Sequence, residues 1–244
     1  MCRFLSALVL RSGDIICDPE HTDSHEHLIE AHGLSDRGLD AFVRVEFIPV
    51  DQNFVDVSSY KLVVDEPGRP DWFESALEER IIESLRDRVR RMIVEDERRL
   101  LLGGCWILGP HAVVRVVVNA RIYCMVGDSQ VGELRGNSQV GVLWENSQVG
   151  VLRGNSQVGE LRENSQVGEL RGNSQVGVLW GNSQVGVLWG NSQVGELREN
   201  SQVGELWENS KVGVLWENSK VGVLWGNSQV GELRGNSQVG VLWE

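Results

Sequence analysis

Residues 127–243 are one nine-residue unit written thirteen times without an insertion. The first copy reads Gly-Asp-Ser-Gln-Val-Gly-Glu-Leu-Arg, and the next reads Gly-Asn-Ser-Gln-Val-Gly-Val-Leu-Trp. No other feature constrains the fold as much, because so short a unit cannot bury an apolar face alone and must stack on its neighbours. Two degenerate copies precede the array. Residues 118–126 keep the Asn, a small residue and both apolar sites, and residues 109–117 keep Val113 and Val116. The array therefore starts near Gly109.

The unit is too short for a helical repeat, and its Val-to-Leu spacing alternates between three and six. The expected order is strand, corner, strand, corner. In Ser-Gln-Val, Ser and Val share the inner face and Gln points out; in the next segment Leu points in and its two neighbours point out. The Gly present in every copy belongs at a corner, where φ is positive or backbones approach closely. The other corner carries Asn, with Asp128 the exception, and Asn tolerates the left-handed region and can form side-chain ladders.

The outward positions give an independent check. Five copies pair Glu with an Arg two residues on, as in Glu133 with Arg135, and six pair Val with Trp, as in Val142 with Trp144. Val151 with Arg153 and Glu205 with Trp207 break the rule. Residues two apart share a face in a strand and not in a helix. Duplication of two ancestral unit types would leave the same association. Two units per turn give an 18-residue coil in which every second copy stacks in register. Fifteen units then make about seven coils, roughly 35 Å long at about 4.8 Å per strand spacing. The expected fold class is mainly β: a β-solenoid of nonapeptide repeats, about two per coil, over 109–244, capped by a small α+β domain over 1–108.

The Asn-Ser-Gln-Val-Gly-Val-Leu-Trp array resembles the short-repeat solenoids that include pentapeptide-repeat proteins and the left-handed hexapeptide β-helices. It differs from both in period. The opening Met1-Cys2-Arg3-Phe4-Leu5-Ser6-Ala7 is similar to what precedes nonapeptide arrays in uncharacterised bacterial and phage proteins, a likeness that implies no activity.

Before the array, residues 3–10 and Ile15-Ile16 flank the turn Ser12-Gly13-Asp14, which predicts a hairpin. Residues 24–32, followed by Gly33, read as a short capped helix, and 44–50 and 60–65 as strands. Asp71-Trp72-Phe73-Glu74 has capping-box spacing. Phe73, Leu77, Ile81, Leu85, Val89 and Met92 then mark one face of a helix over about 71–95. Val117, Cys124 and Val126 stand at outward positions of the degenerate copies, and the helix is expected to pack there.

Composition narrows function by exclusion. The formal net charge is −12, and both halves are acidic, so neither is a basic nucleic-acid footprint and direct nucleic-acid binding is not expected. Four scattered cysteines suit a reducing compartment. No stretch approaches the roughly 20 apolar residues of a membrane span, and the run from Phe4 to Leu10 lacks the flanks of a signal peptide. A soluble cytoplasmic protein with no cofactor is expected.

Cys17, His21, His25 and His27 lie close together in sequence, and the i,i+4 spacing of His21 and His25 could share a metal on a helix. Pro19 and the turn at Thr22-Asp23-Ser24 favour a polar loop and helix start. Cys2 would be an amino-terminal nucleophile if Met1 were removed, but it also reads as the start of a strand. The array has no histidine after His111, and uniform units offer no unique pocket. Trp144, Trp180, Trp189, Trp207, Trp216, Trp225 and Trp243 would form one or two exposed ladders, either a platform for a protein or sugar polymer or a cover for the adjoining Val. The expected function is that of a non-enzymatic interaction or scaffold protein. An acidic rod mimicking nucleic acid to inhibit a DNA-handling enzyme is the alternative, and an enzyme residing in the amino-terminal domain comes third. The final regular unit, with Val239, Leu242 and Trp243, is expected to self-associate end to end as a homodimer.

Overall fold

A computed structural model describes residues 4–22, 24–34 and 41–243. The chain divides into two compact units, Met1–Ile93 and Val94–Glu244. Cys2 lies outside the described residues.

The amino-terminal unit holds a four-stranded antiparallel sheet in the order β2-β1-β3-β4, from β1 (Leu5–Leu10), β2 (Ile15–Ile16), β3 (Phe42–Ile48) and β4 (Lys61–Val64). Gly13 makes the hairpin turn with φ 88°. Helix α1 (His25–Ala31) starts where expected: the Ser24 side chain accepts the His27 N–H, and Gly33 follows with φ 61°. Leu28 of α1 packs on Leu8 and Phe42. Phe4, Phe47, Phe54 and Tyr60 form an aromatic cluster with centroids 5.2–5.7 Å apart.

Helix α2 (Ser75–Met92) is shorter than the 71–95 expected. Its N-cap is Glu74, which makes no side-chain cap bond; the Asp71 segment is instead a turn closed by the Phe73 N–H on the Pro70 carbonyl. The apolar stripe is as expected, with Phe73, Ile81, Leu85, Val89 and Met92 buried. Beyond Met92 the backbone is extended as β5 (Ile93–Val94).

The second unit is a parallel β-solenoid of about 8 turns. Strands β6 (Glu97–Leu102) and β7 (Cys105–Leu108) come from the stretch expected to belong to the 1–108 cap, and β8 (Val113–Val118) and β9 (Arg121–Met125) from the two degenerate copies. One strand per repeat follows, from β10 (Gln130–Arg135) to β22 (Gln238–Trp243). Even-numbered strands from β6 to β22 form the first sheet and odd-numbered strands from β5 to β21 the second, nine strands each. The upstream strands are what raise the coil number above seven. Register is that of an 18-residue coil: Gln139 pairs with Gln157, Val140 with Val158 and Leu143 with Leu161.

Two details correct the expected corners. Each repeat is one five- or six-residue strand rather than two, and its glycine lies in mid-strand without positive φ. A Cβ on Gly177 would lie 2.4 Å from the Gly159 carbonyl oxygen of the coil before it, so close stacking is what demands glycine. Gly177 drops out of the paired register, and Val176 and Leu179, three apart, are both buried. In the thirteen regular repeats the left-handed corner residue is the Gly or Glu before the Asn or Asp128, not the Asn itself. The Asn side chains do form ladders, as in Asn155 donating to Asn137 at 3.2 Å and Asn173 to Asn155 at 3.3 Å.

The first degenerate copy is also shifted by one residue. Val131 pairs with Val114 and Leu134 with Val117, so Val114 and Val117 are the inner pair, not Val113 and Val116. Val117 is fully buried in the core and not outward as expected. The cause is a corner one residue short, where Asn119 takes the left-handed turn with φ 49°. Val and Leu columns from Val94 to Leu224 make one continuous core.

Candidate interaction surfaces of the repeat array

Because copies stack every 18 residues, each outward position becomes a column running along the solenoid. The Glu/Val position alternates in both sheets. In the second sheet it reads Val142, Glu160, Val178, Glu196, and in the first Glu133, Val151, Glu169, Val187. Every Glu there is flanked by Val, so like charges are held two strand spacings apart, roughly 9–10 Å. Four Glu–Arg pairs two residues apart close at 2.5–2.7 Å on exposed or half-buried side chains. Glu133 and Arg135 also pair. Each pair contributes about 0.2–1 kcal/mol.

The Trp/Arg position forms two unlike columns. Along the second sheet, Arg198 lies over Trp180 at 4.7 Å and Trp216 at 5.6 Å, and Arg162 lies over Trp144 at 4.6 Å. Along the first sheet, Arg135, Arg153 and Arg171 are followed by a stack of Trp189, Trp207, Trp225 and Trp243, with centroids 4.8–5.5 Å apart and planes within 14°. The tryptophans expected as a platform are mostly half-buried, and these stacks turn their faces to neighbours in the same column. Solvent meets ring edges, a poor surface for stacking sugars.

Between the Gln column and the Glu/Val ridge of each sheet, the glycines leave a shallow groove. On the second sheet it has a volume of about 770 Å³ and runs from Arg121 to Gly231; on the first it has about 490 Å³ and runs from Gln166 to Gly240. Lys211 and Lys220 replace Gln within these columns.

Sequence reasoning missed the corner carboxylates. Glu145, Glu163, Glu199, Glu208 and Glu217 occupy left-handed corners with φ 59–61°, where the other repeats have Gly. Glu145 and Glu163 share one column with Glu199 and Glu217, away from the Glu–Arg pairs on the strands. The exchange of Gly for Glu before Asn is the signal that would have revealed them.

The expected metal candidates do not converge. His25, the first residue of α1, is buried against the sheet, with Nε2 3.0 Å from the Val45 carbonyl and Nδ1 3.5 Å from Asp65. His21 is exposed on Asp18, whose hydrogen bond raises the imidazole pKa. His27 lies 3.3 Å from the Thr22 hydroxyl, and Cys17 contacts Arg88. Burial pushes the Cys17 thiol up despite that guanidinium. Among the described residues, no group of three or more His, Cys, Asp and Glu could hold a metal ion. Burial pushes the Cys124 thiol up to about 12, which leaves it unreactive. No helix among the described residues is long and apolar enough to cross a membrane.

No protein-family model matches the chain, and no curated protein or solved structure matches it either.

Proposed function

We propose that the protein is a non-enzymatic interaction or scaffold protein whose solenoid faces are its binding surface. The observation that carries this reading is the pair of glycine-floored grooves, which repeat the same Gln, Val and Gly lining coil after coil. Such a surface offers many equivalent contacts rather than one reaction centre. Pull-down from the native host tests it, comparing the parent with a variant whose second-sheet groove is filled by Gln157→Trp, Gln175→Trp and Gln193→Trp. A partner held by the parent and lost by the variant supports the reading; equal retention by both contradicts it.

Self-association through the Val239, Leu242 and Trp243 layer belongs to the same proposal. Leu242 is 72% and Trp243 54% exposed, on β22, the end strand of the first sheet among the described residues. Light scattering should give twice the chain mass for the parent and a smaller mass for Val239→Lys/Leu242→Lys.

The nucleic-acid-mimic reading is supported by the corner column of Glu145, Glu163, Glu199 and Glu217 alone, since the strand carboxylates beside Arg are neutralised. Failure of the protein to displace a basic DNA-binding protein from DNA at low salt would remove it.

A further inference from the structure

The array carries two columns of side-chain amides at the same coil spacing, and only one of them is satisfied. The Asn side chains bond to one another from coil to coil, as Asn155 does to Asn137 and Asn173 to Asn155. The Gln side chains are exposed, and among the described residues none in the array makes a side-chain hydrogen bond within the chain. Holding so long a side chain in a ladder costs more rotamer entropy than holding Asn. On the second sheet these free amides, at Gln139, Gln157, Gln175, Gln193 and Gln229, form one wall of the groove, with Lys211 in the same column. The opposite wall is the ridge that alternates Val and Glu from Val142 to Glu232. Its carboxylates, Glu160, Glu196 and Glu232, are neutralised by Arg162, Arg198 and Arg234. The two walls stand three residues apart on each strand, at most roughly 10 Å.

We propose that this groove binds a linear, uncharged polysaccharide of β-1,4-linked hexopyranoses, one sugar per coil. The inference rests on the reading of the solenoid faces as the binding surface and names the class of ligand. Such a chain is a flat ribbon that advances by about one strand spacing per sugar and turns each sugar over relative to the last. Both of its periods are present in the groove. One free amide per coil meets the hydroxyl edge of each sugar, and an amide both donates and accepts, as hydroxyls do. The ridge repeats every second coil, as the flipped sugars do, so Glu meets a hydroxyl at one sugar and Val meets C–H groups at the next. The glycine floor lets the ribbon approach the backbone closely. Other polymers fit less well. An extended peptide advances about 3.3 Å per residue and falls out of step within a few coils, and nucleic acid brings its phosphates against a chain of net charge −12. From β11 (Gln139–Leu143) to β21 (Gln229–Leu233) the groove crosses six strands of the second sheet, which gives room for about six sugars. The first-sheet groove is smaller, and its ridge loses the alternation where Val223 is followed by Val241.

Titration of the full chain with oligosaccharides tests this, read by isothermal calorimetry. The probes are cellohexaose, chitohexaose and their trimers, with maltohexaose as the α-linked, helical control. At least one of the β-linked hexamers is expected to bind, at least about ten-fold more tightly than its trimer, and maltohexaose not measurably. Gln157→Ala/Gln175→Ala/Gln193→Ala should weaken that hexamer at least about ten-fold, because each lost amide removes a hydrogen bond. The matching first-sheet variant, Gln166→Ala/Gln184→Ala/Gln202→Ala, should bind it as the parent does. All six side chains are exposed, and far-UV circular dichroism checks that the fold is kept. Maltohexaose or a trimer bound as tightly as the β-linked hexamer overturns the inference, as does a hexamer weakened by the first-sheet variant but not by the second. A parent that binds neither β-linked hexamer at millimolar concentration also overturns it. If a host partner is then still held by the parent and lost from the tryptophan-filled groove, the solenoid-face reading stands without the polysaccharide.

Discussion

In the amino-terminal unit every buried side chain has surroundings of its own, whereas in the array the same surroundings recur in each coil. Phe4 meets Phe54 and Tyr60 in a cluster that occurs once. Val176 stacks between Val158 and Val194, and Leu179 between Leu161 and Leu197, as their counterparts do in other coils. The stability of the array is therefore close to a sum of equal nearest-neighbour terms. A residue type there is selected by what it does beside a copy of itself. Val and Leu stack without conflict, Asn forms ladders, and Glu does neither well; on the strands it alternates with Val.

The largest expected effect sharpens this contrast at the core. Val176→Asp or Leu179→Asp puts a carboxylate where exposure is 2% and 0%, and should cost several kcal/mol. Leu85→Asp should cost a similar amount in the other unit, where the residue is 1% exposed. Gln175→Glu, on the outer face, should stay within about 0.5 kcal/mol. Chemical denaturation of the four variants checks the order; equal tolerance of all four would break the in–out assignment.

Glycine distinguishes the two units more finely. Gly177→Ala should destabilise by about 1–3 kcal/mol, because the new methyl group meets the carbonyl of the preceding coil. Gly68→Ala, with nothing within 4 Å of the added atom, should be neutral or slightly stabilising. The melting temperatures of these two variants separate close stacking from backbone freedom as the reason for glycine.

The smallest effect has the opposite sign. Glu163→Gly relieves a left-handed corner at φ 60° and removes one carboxylate from beside Glu145. It should stabilise by about 0.5–1 kcal/mol, the left-handed penalty outweighing the entropy that glycine loses. A drop in melting temperature would mean that the Glu163 side chain makes a contact worth more than the strain.

Much of the array was legible because its columns follow from period and alternation alone. The 18-residue coil, the buried Val and Leu and the Glu–Arg and Val–Trp pairs needed no tertiary information. The mid-strand glycine was misplaced because its cause is the carbonyl of another coil, which no local rule of turns expresses. Val117 was misplaced because a single missing corner residue before Ala120 shifts the register, and sequence spacing treats the two copies as equal. In the amino-terminal unit α1 was legible from Ser24 and Gly33, whereas the start of α2 was not: Asp71 and Glu74 have the right spacing, but Pro70 draws that segment into a turn. The corner glutamates were passed over because Gly and Glu alternate there without the pairing that marked the strands.

The 18-residue coil underlies every column described here, and a cross-link tests it most directly. With Cys2, Cys17, Cys105 and Cys124 replaced by Ser, the pair Gln175→Cys/Gln193→Cys puts two thiols on adjacent strands in register, at a strand spacing within disulfide range. The pair Gln175→Cys/Gln184→Cys puts them on different sheets. Mild oxidation at low protein concentration, read by intact mass and peptide mapping, should close the first pair within one chain and leave the second open. A disulfide between 175 and 184, with none between 175 and 193, would mean a nine-residue coil and would contradict the account.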